Sequence, residues 1–436
     1  MITSPAFRGK RYAVLGLARS GLATVEALVA SGAEVTAWDS KEEARAKVGE
    51  GVTLADPLEI ELAGYDGVVV SPGVPLNTHP IAAKAKAASV PVIGDIELFA
   101  QARASLPQHG VVGITGTNGK STTTALVHHI LKTAGIPTEM GGNIGLPILA
   151  QDPLPKGGVY VLELSSYQID LTFSLDCDVA VLLNVTPDHL DRYESFEAYT
   201  TSKVRLFDMQ SDEHVFDRVV VIDDAIAGQI AESMPSIELI SRDRLQGGWD
   251  EGFVSPQEHW PSLQGPHNAL NASAAISVAR LLGVDWTQIN KALRSYNSLP
   301  HRMERVAERN GILFVNDSKA TNPDSTAPAL AAYPHIHWIV GGLAKTKDLG
   351  PCEAQLGHVR AAYTIGDSGP MFFELLHDKV PMVEHSGTLD VAVKDAARFA
   401  KAGEVVLLSP ACASFDQFKD YEARGQAFRD AVGALS

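Results

Sequence analysis

Three cysteines in 436 residues, Cys177, Cys352 and Cys412, are too few and too far apart for a disulfide framework or a zinc pair. That usage points to a reducing compartment. Basic residues are also scarce: 36 Lys and Arg against 52 Asp and Glu leave a formal net charge of −16. A chain of that sign lacks the footprint a nucleic-acid backbone requires, so no nucleic-acid partner is expected. It does not exclude a single nucleotide, because one local loop outweighs the global field. No apolar run is long enough to span a membrane, and Arg8, Lys10 and Arg11 precede only a short apolar stretch, not a signal peptide. What remains is a cytoplasmic composition, 45% hydrophobic and 20% charged, with enough apolar material for about two to four domains.

The most informative stretch is Val111-Val112-Gly113-Ile114-Thr115-Gly116-Thr117-Asn118-Gly119-Lys120-Ser121-Thr122. A β-branched run, a Gly-rich turn, a Lys with hydroxyl neighbours and a helix-spaced segment read as strand, phosphate loop, helix. Gly116 and Gly119 let backbone N–H groups turn inward, and the helix aims its positive end at the same point. Lys120 adds a mobile charge for terminal phosphates, and Ser121 or Thr122 offers a hydroxyl to Mg²⁺. The long form of this motif has Gly six residues before the Lys; here that residue is Ile114, so the loop is the shorter G-T-N-G-K-S-T form.

Earlier in the chain, Tyr12–Gly16 reads as a buried strand, followed by a turn, a helix through Leu22, Val25, Leu28 and Val29, and a second strand ending at Asp39. This approaches the dinucleotide fingerprint, but Ala18 stands where the middle Gly admits a pyrophosphate. An NAD site is thereby weakened, while a helix N-terminus suited to another diphosphate survives. A strand at Gly67–Val70 ends in the tight loop Ser71-Pro72-Gly73, and the helix around Ile96–Ala102 links to the next domain.

Past the phosphate loop, Gly141-Gly142-Asn143-Ile144-Gly145 reads as a Gly-rich connector. Val159–Glu163 is an apolar strand ending in a carboxylate, then Ser165 and Gln168. Ligands gather beyond the carboxyl ends of parallel strands, so Glu163 projects to the same edge as Lys120 and suits a hard cation. The strand Cys177–Val185 delivers His189 to that edge. Tyr199–Phe207 reads as a helix on which Lys203, taken alone, is a solvated lysine. The stretch through Gly247-Gly248-Trp249 suggests no chemistry. His267 opens an Ala-rich helix on which Asn268 is a reasonable cap, with Asn271 on the next turn, and Asn297–Pro300 is a hinge. The remaining strands, Ile312–Val315, His337–Gly341 and Val405–Leu408, again end in polar clusters, among them Asn316–Asn322 and Ser409–Asp416.

The ordered set G-D-I-E-L-F, G-T-N-G-K-S-T, L-E-L-S-S-Y-Q, N-V-T-P-D-H-L-D-R-Y, Y-T-T-S-K, H-N-A-L-N, L-P-H-R-M-E, N-D-S-K-A-T-N and L-S-P-A-C-A-S-F-D-Q-F resembles the Mur ligases almost from end to end. The C-terminal run resembles the members that add D-glutamate to UDP-N-acetylmuramoyl-L-alanine. The resemblance implies an α/β chain of three domains: a Rossmann-like domain for the UDP-sugar over 1–99, a P-loop ATPase with a mostly parallel sheet over 100–299, and a Rossmann-like amino-acid domain over 300–436. It implies ATP and two Mg²⁺ as cofactors, small-molecule substrates only, no membrane partner, a monomer, and a reaction through an acyl phosphate.

Residue by residue, the resemblance implies that Gly116, Thr117, Asn118, Gly119, Lys120, Ser121 and Thr122 hold ATP together with Asn268, Asn271, Arg302 and Asp317. It gives Ser121 and Glu163 to one Mg²⁺, and His189 and a carbamylated Lys203 to the other. Ser20, Asp39, Ser71 and Gly73 are implied around UDP, and Asn143, Ser165 and Gln168 beside the remainder of that substrate. Lys319, Thr321, Lys345, Ser414 and Tyr421 are implied around D-glutamate. Two positions depart from the pattern: Leu343-Ala344 replaces a common Asp-Gly before Lys345, and Tyr421 replaces a usual Phe. The motifs leave open another ligase of the superfamily, an NAD-dependent oxidoreductase on the first domain, and a nucleotide switch that hydrolyses ATP without ligation.

Overall fold

Short apolar strands that each end at a glycine or polar residue, and then enter a helix, favour parallel pairing through crossovers. The computed structural model, which describes residues 1–189, 191–211, 218–222, 225–233, 237–241 and 254–435, shows three such sheets. In the first, β1 (Arg11–Leu15), β2 (Glu34–Trp38), β3 (Val52–Leu54), β4 (Gly67–Val70) and β5 (Val92–Ile93) run parallel in the order β3-β2-β1-β4-β5. In the second, β6 (His109–Thr115), β7 (Thr138–Gly142), β8 (Gly158–Glu163), β9 (Val179–Leu182), β10 (Arg218–Ile222) and β11 (Ile237–Ser241) run parallel in the order β11-β10-β9-β6-β8-β7.

The third sheet contains β12 (Glu304–Arg309), β13 (Ile312–Asn316), β14 (Ile336–Gly341), β15 (Val359–Ile365), β16 (Val383–Gly387) and β17 (Val405–Leu408). Its order is β12-β13-β17-β14-β15-β16, and β12 is antiparallel to β13. The helices that matter for function are α1 (Arg19–Ala30), α2 (Asp95–Ala102), α3 (Lys120–Thr133), α4 (Phe196–Asp208), α5 (Pro266–Leu281) and α6 (Tyr421–Gly433).

The chain divides into two compact units, one of Met1–Gly248 with Ser273–Ile289, the other of Trp249–Ala272 with Asn290–Ser436. Within the first unit, α2 joins two sheets through one apolar core: Phe99 meets Tyr160 edge-on with ring centroids 5.1 Å apart. The acid of the G-D-I-E-L-F motif locks this joint. Buried Glu97 accepts from the backbone N–H groups of Phe173 (2.7 Å) and Ser174 (2.9 Å) and from the Ser174 hydroxyl (2.8 Å). A carboxylate with these donors, and with Gln101 Nε2 at 3.0 Å, tolerates burial that an unpaired one does not.

Several local expectations change. Gly141 and Gly142 lie inside β7, not in a connector, because their backbones pair with Leu162 and Glu163. Asn268 is not a cap: α5 begins two residues earlier at Pro266, and the Asn268 amide donates to the Gln264 carbonyl at 3.1 Å. The strand after Cys177 stops at Leu182, three residues short of the apolar run. The stretch Gly247-Gly248-Trp249 lies outside the described residues. Among the described residues no helix is long and apolar enough to cross a membrane.

Candidate active site at the strand ends of the second sheet

The phosphate loop leaves β6 through Gly116 at φ +150° and enters α3 through Gly119, a left-handed N-cap at φ +84°. A Cβ on Gly116 would sit 3.0 Å from the Leu183 Cβ and 3.3 Å from the Asn184 nitrogen, so both conformation and space demand glycine there. The loop is tied from below by Asn184, just past β9. Its Oδ1 accepts from the N–H groups of Thr117 (3.1 Å) and Asn118 (2.8 Å), and its Nδ2 donates to the Asn118 carbonyl at 3.1 Å. Thr117 Oγ1 also donates to the Thr186 carbonyl at 3.1 Å and lies 3.1 Å from the Tyr199 hydroxyl. Gly119, Lys120, Ser121 and Thr122 thus stand at the opening of α3, with Ser121 buried. Lys120 Nζ donates to the Gly116 and Thr117 carbonyls, both at 2.8 Å.

Glu163, at the end of β8, is buried. Its Oε1 accepts from Asn143 Nδ2 at 3.0 Å, while Oε2 has no hydrogen-bond partner among the described residues. A buried carboxylate oxygen left without a donor is costly unless a cation satisfies it.

Lys203 corrects the sequence reading most sharply. It is not a solvated lysine but is buried on the face of α4 formed by Tyr199, Ser202, Leu206 and Phe207. The helical spacing of that stripe could have revealed it. Its Nζ donates to the Gly116 carbonyl at 2.9 Å and lies 4.5 Å from the Tyr199 ring centroid. Burial lowers its pKa to about 6, and the charge of Lys120 adds to the shift against the opposing pull of Asp188 and Asp170.

His189 is an exposed residue with φ +55°, its ring 5.0 Å from that of Tyr167. Its loop is fixed by contacts that the sequence did not disclose. Arg192 lies over the Tyr167 ring at 4.6 Å and donates to the Val74 carbonyl at 3.0 Å. Asn77 Nδ2 donates to the Asp191 carbonyl at 3.0 Å. The loop after β4, which carries Ser71 and Gly73, is therefore joined to the loop that carries His189.

Ser71 Oγ donates to the Gly16 carbonyl at 2.9 Å, and Asp39 accepts from the Leu17 N–H at 2.7 Å. Both side chains shape the turn that opens α1, with Ser20 in its first turn. Ser20, Gly21, Thr24 and Ser71 line a small cleft with Asp95, a residue not singled out from the sequence. Asp95 Oδ1 has no partner among the described residues, and burial lifts its pKa to about 6. Ser165 and Gln168 form a reciprocal capping box: Ser165 Oγ accepts from the Gln168 N–H at 3.3 Å, and Gln168 Oε1 accepts from the Ser165 N–H at 3.1 Å.

The second unit holds the other expected residues. Asn271 Nδ2 donates to Asn268 Oδ1 at 3.2 Å on α5. Asp317, at the end of β13, accepts from Ser409 Oγ (2.8 Å) and from the Met303 N–H (3.1 Å), which fixes the loop bearing Arg302. Burial raises Asp317 to about 7 against the influence of those donors. Lys319 Nζ lies 3.8 Å from the ring centroid of Tyr421, so the ring expected at that position receives a cation. Ser414 is buried, Thr321 half-buried and Lys345 exposed. Leu343 pairs its backbone with Ala413, N–H to carbonyl at 2.9 and 3.0 Å, so Leu343-Ala344 keeps Lys345 next to the Ser414 loop.

The descriptions that match this chain are the Mur ligase MurD-like N-terminal domain over residues 10–94, the Mur ligase middle domain over 114–242 and the Mur ligase glutamate ligase domain over 301–412. The chain is 60% identical to the UDP-N-acetylmuramoylalanine--D-glutamate ligase of Novosphingobium aromaticivorans, covering 100% of this chain and 97% of that one. It is 56% identical to the protein of the same name from Zymomonas mobilis, covering 100% of both. Among solved structures, the MurF ligase of Thermotoga maritima in complex with ADP superposes with a TM-score of 0.57 at 18% identity, covering 98% of this chain and 95% of that one. The MurC ligase of the same organism gives 0.55 at 18% identity over 98% and 99%. At that identity the two structures speak for the fold alone.

Proposed function

The chain belongs to the Mur ligase family, and from that premise we propose that it joins D-glutamate to UDP-N-acetylmuramoyl-L-alanine at the expense of ATP, in peptidoglycan precursor synthesis. The choice of D-glutamate rests on the full-length likeness to relatives bearing that name. The chemistry rests on one juxtaposition: a phosphate loop, a buried acid with an oxygen that has no partner among the described residues, and a buried lysine bonded to the Gly116 carbonyl stand at the strand ends of one sheet.

The substrate's alanyl carboxylate takes the γ-phosphoryl group from ATP and ADP leaves. The amine of D-glutamate then forms the C–N bond, loses its proton and expels phosphate from the tetrahedral carbon. Two anions must approach in the first step, so charge neutralisation is the main demand on the protein. Lys120 has the charge and reach to move from its loop carbonyls to the γ-phosphate. N–H groups at the start of α3 hold the same phosphates, and Asn184 keeps the loop in shape for them.

The donor set fits Mg²⁺, which takes few protein ligands and shares the rest with substrate phosphates. Glu163 and Ser121 would hold one ion; His189 and Lys203, as a carbamate, would hold a second. When bound, Mg²⁺ supplies positive charge to the transferring phosphoryl oxygens. Lys203 suits carbamylation because the reaction with CO₂ requires a neutral amine, and its burial supplies one at physiological pH.

Ser20, Asp39, Ser71 and Gly73 around UDP, with Asn143, Ser165 and Gln168 beyond, complete the first substrate's site. Here Asp39, Ser165 and Gln168 act chiefly by fixing backbone. Asn268, Asn271, Arg302 and Asp317 serve ATP, and Lys319, Thr321, Lys345, Ser414 and Tyr421 serve D-glutamate. We assign the domains to 1–99, 100–299 and 300–436, and the protein to the cytoplasm as a monomer. Phosphate release by the purified protein with ATP, Mg²⁺ and UDP-N-acetylmuramoyl-L-alanine should require D-glutamate. Release with L-glutamate alone, or without any amino acid, overturns the assignment.

A further inference from the structure

Arg424 is one of the most deeply enclosed cations in the second unit, 1% exposed in the first turn of α6. Among the described residues no carboxylate forms an ion pair with it. Its donors go instead to backbone and hydroxyl oxygens. Nε donates to Ser318 Oγ at 3.0 Å, one terminal nitrogen to the carbonyls of Ser318 (2.9 Å) and Cys412 (3.0 Å), and the other to the carbonyl of Ala413 at 3.3 Å. Ser318 Oγ in turn donates to the Tyr421 carbonyl at 2.8 Å.

These acceptors have a pattern. Ser318 immediately precedes Lys319, Ala413 immediately precedes Ser414, and Tyr421 holds its ring against the Lys319 ammonium. Ala413 also pairs with Leu343, two residues before Lys345. One planar guanidinium therefore ties together the loops after β13, β14 and β17, which carry the residues assigned above to the amino acid. A lysine could not do this, since the four bonds leave three separate nitrogens held in a fixed fork. Burial lowers Arg424 only to about 10, so it stays charged at neutral pH, and Asp416 opposes the shift from farther away. Carbonyl dipoles solvate that charge without cancelling it, which leaves positive potential behind the loops.

We propose that Arg424 is the positioning residue of the amino-acid subsite: it holds Lys319 and Ser414 in register and backs them with a buried positive charge for a dicarboxylic amino acid. The inference rests on the D-glutamate reading. It places the effect of Arg424 on amino-acid affinity and not on ATP or on the UDP-sugar.

The test compares wild type with R424K, R424Q and S318A in the full chain, measuring kcat, three separate KM values and thermal midpoints. Wild-type turnover with D-glutamate comes first; without it the functional reading fails and this inference falls with it. Given that turnover, R424K and R424Q should raise the KM for D-glutamate at least about tenfold, with the KM values for ATP and UDP-sugar within about twofold of wild type. R424Q, which lacks the charge, should be the worse of the two. S318A removes one acceptor only, and should raise the same KM about threefold with its thermal midpoint close to wild type. If both Arg424 variants fail to fold, S318A decides alone. A parallel rise in all three KM values, or an unchanged D-glutamate KM in a folded S318A, overturns the proposal.

Discussion

Lys120 and Lys203 converge on a single oxygen: both ammonium nitrogens lie within hydrogen-bond distance of the Gly116 carbonyl, at 2.8 and 2.9 Å. Two cations cannot share one acceptor cheaply, and burial, with the charge of Lys120 adding to it, lowers the pKa of Lys203 to about 6. The consequence is a division of labour at the phosphate loop. One lysine supplies charge; the other is an uncharged amine with a lone pair.

This division has a pH signature. Lys203 has a folded pKa of about 6 against 10.5 for the free side chain. Between those values the unfolded chain binds the extra proton, so stability rises with pH across that window and the penalty of burying Lys203 is largest at and below about pH 6. In CO₂-free buffer, Lys203→Met should be more stable than wild type at pH 6.5 by a few kcal/mol, on the order expected for relieving a buried lysine. The difference should shrink towards pH 10. Urea denaturation at both pH values measures it; a difference of the same size at each would rule out a neutral, strained Lys203. Catalysis should move the other way, with Lys203→Met inactive.

Asn184 should control nucleotide affinity without touching the chemistry. Asn184→Ala frees the N–H of Asn118 from its partner and should raise the KM for ATP about tenfold, the equivalent of one or two hydrogen bonds. Asn184→Asp keeps the acceptor but brings a negative charge beneath the phosphates, so its KM should rise further. Calorimetric titration with ADP provides the check. Tight ADP binding by Asn184→Asp would remove Asn184 from the account.

Much of this was legible in the sequence because it depends on local order. The phosphate loop, Glu163 and the strand–helix alternation follow from apolar runs that break at glycine or a polar residue. Lys203 was legible only in part: the motif placed it, but reading its helix as solvent-facing hid the burial that gives it chemistry. Asn184, Arg192, Asp95 and Arg424 were not legible, because their roles lie in contacts distant in sequence, such as Arg192 with Val74 and Arg424 with Ser318, or in the lack of a contact among the described residues. The edge strands β3, β12 and β16 also escaped, since partly exposed strands such as Glu304–Arg309 carry too little apolar periodicity to announce themselves. The capping box of Ser165 and Gln168, by contrast, was written in local spacing that the resemblance drew toward substrate.

Gly425 is a stability position that acts on the loop bearing His301 and Arg302. A Cβ there would lie 2.1 Å from Nδ1 of His301, whose ring also meets Asn316 Nδ2 at 3.0 Å. His301 is buried and adjoins Arg302, so it has little room to move. Gly425→Ala should cost about 1–3 kcal/mol through overpacking. Adding His301→Ala should recover part of that loss, because the two side chains compete for one space. A double mutant whose destabilisation equals the sum of the single changes would show that the contact is not the cause.

Glu163 sets stability against function. Its Oε2 is a buried acceptor with no hydrogen-bond partner among the described residues, and removing it should help the protein when no cation is present. Glu163→Leu should therefore match or exceed wild type in thermal midpoint in EDTA, yet lose the further stabilisation that Mg²⁺ and ADP give the wild type. Glu163→Gln keeps the contact from Asn143 through its amide oxygen but turns the other atom into a donor, which repels a cation. Its kcat should fall by about 10²–10³-fold with the KM for UDP-sugar little changed. A Glu163→Gln enzyme with wild-type dependence on Mg²⁺ concentration would mean that the orphan oxygen has another purpose.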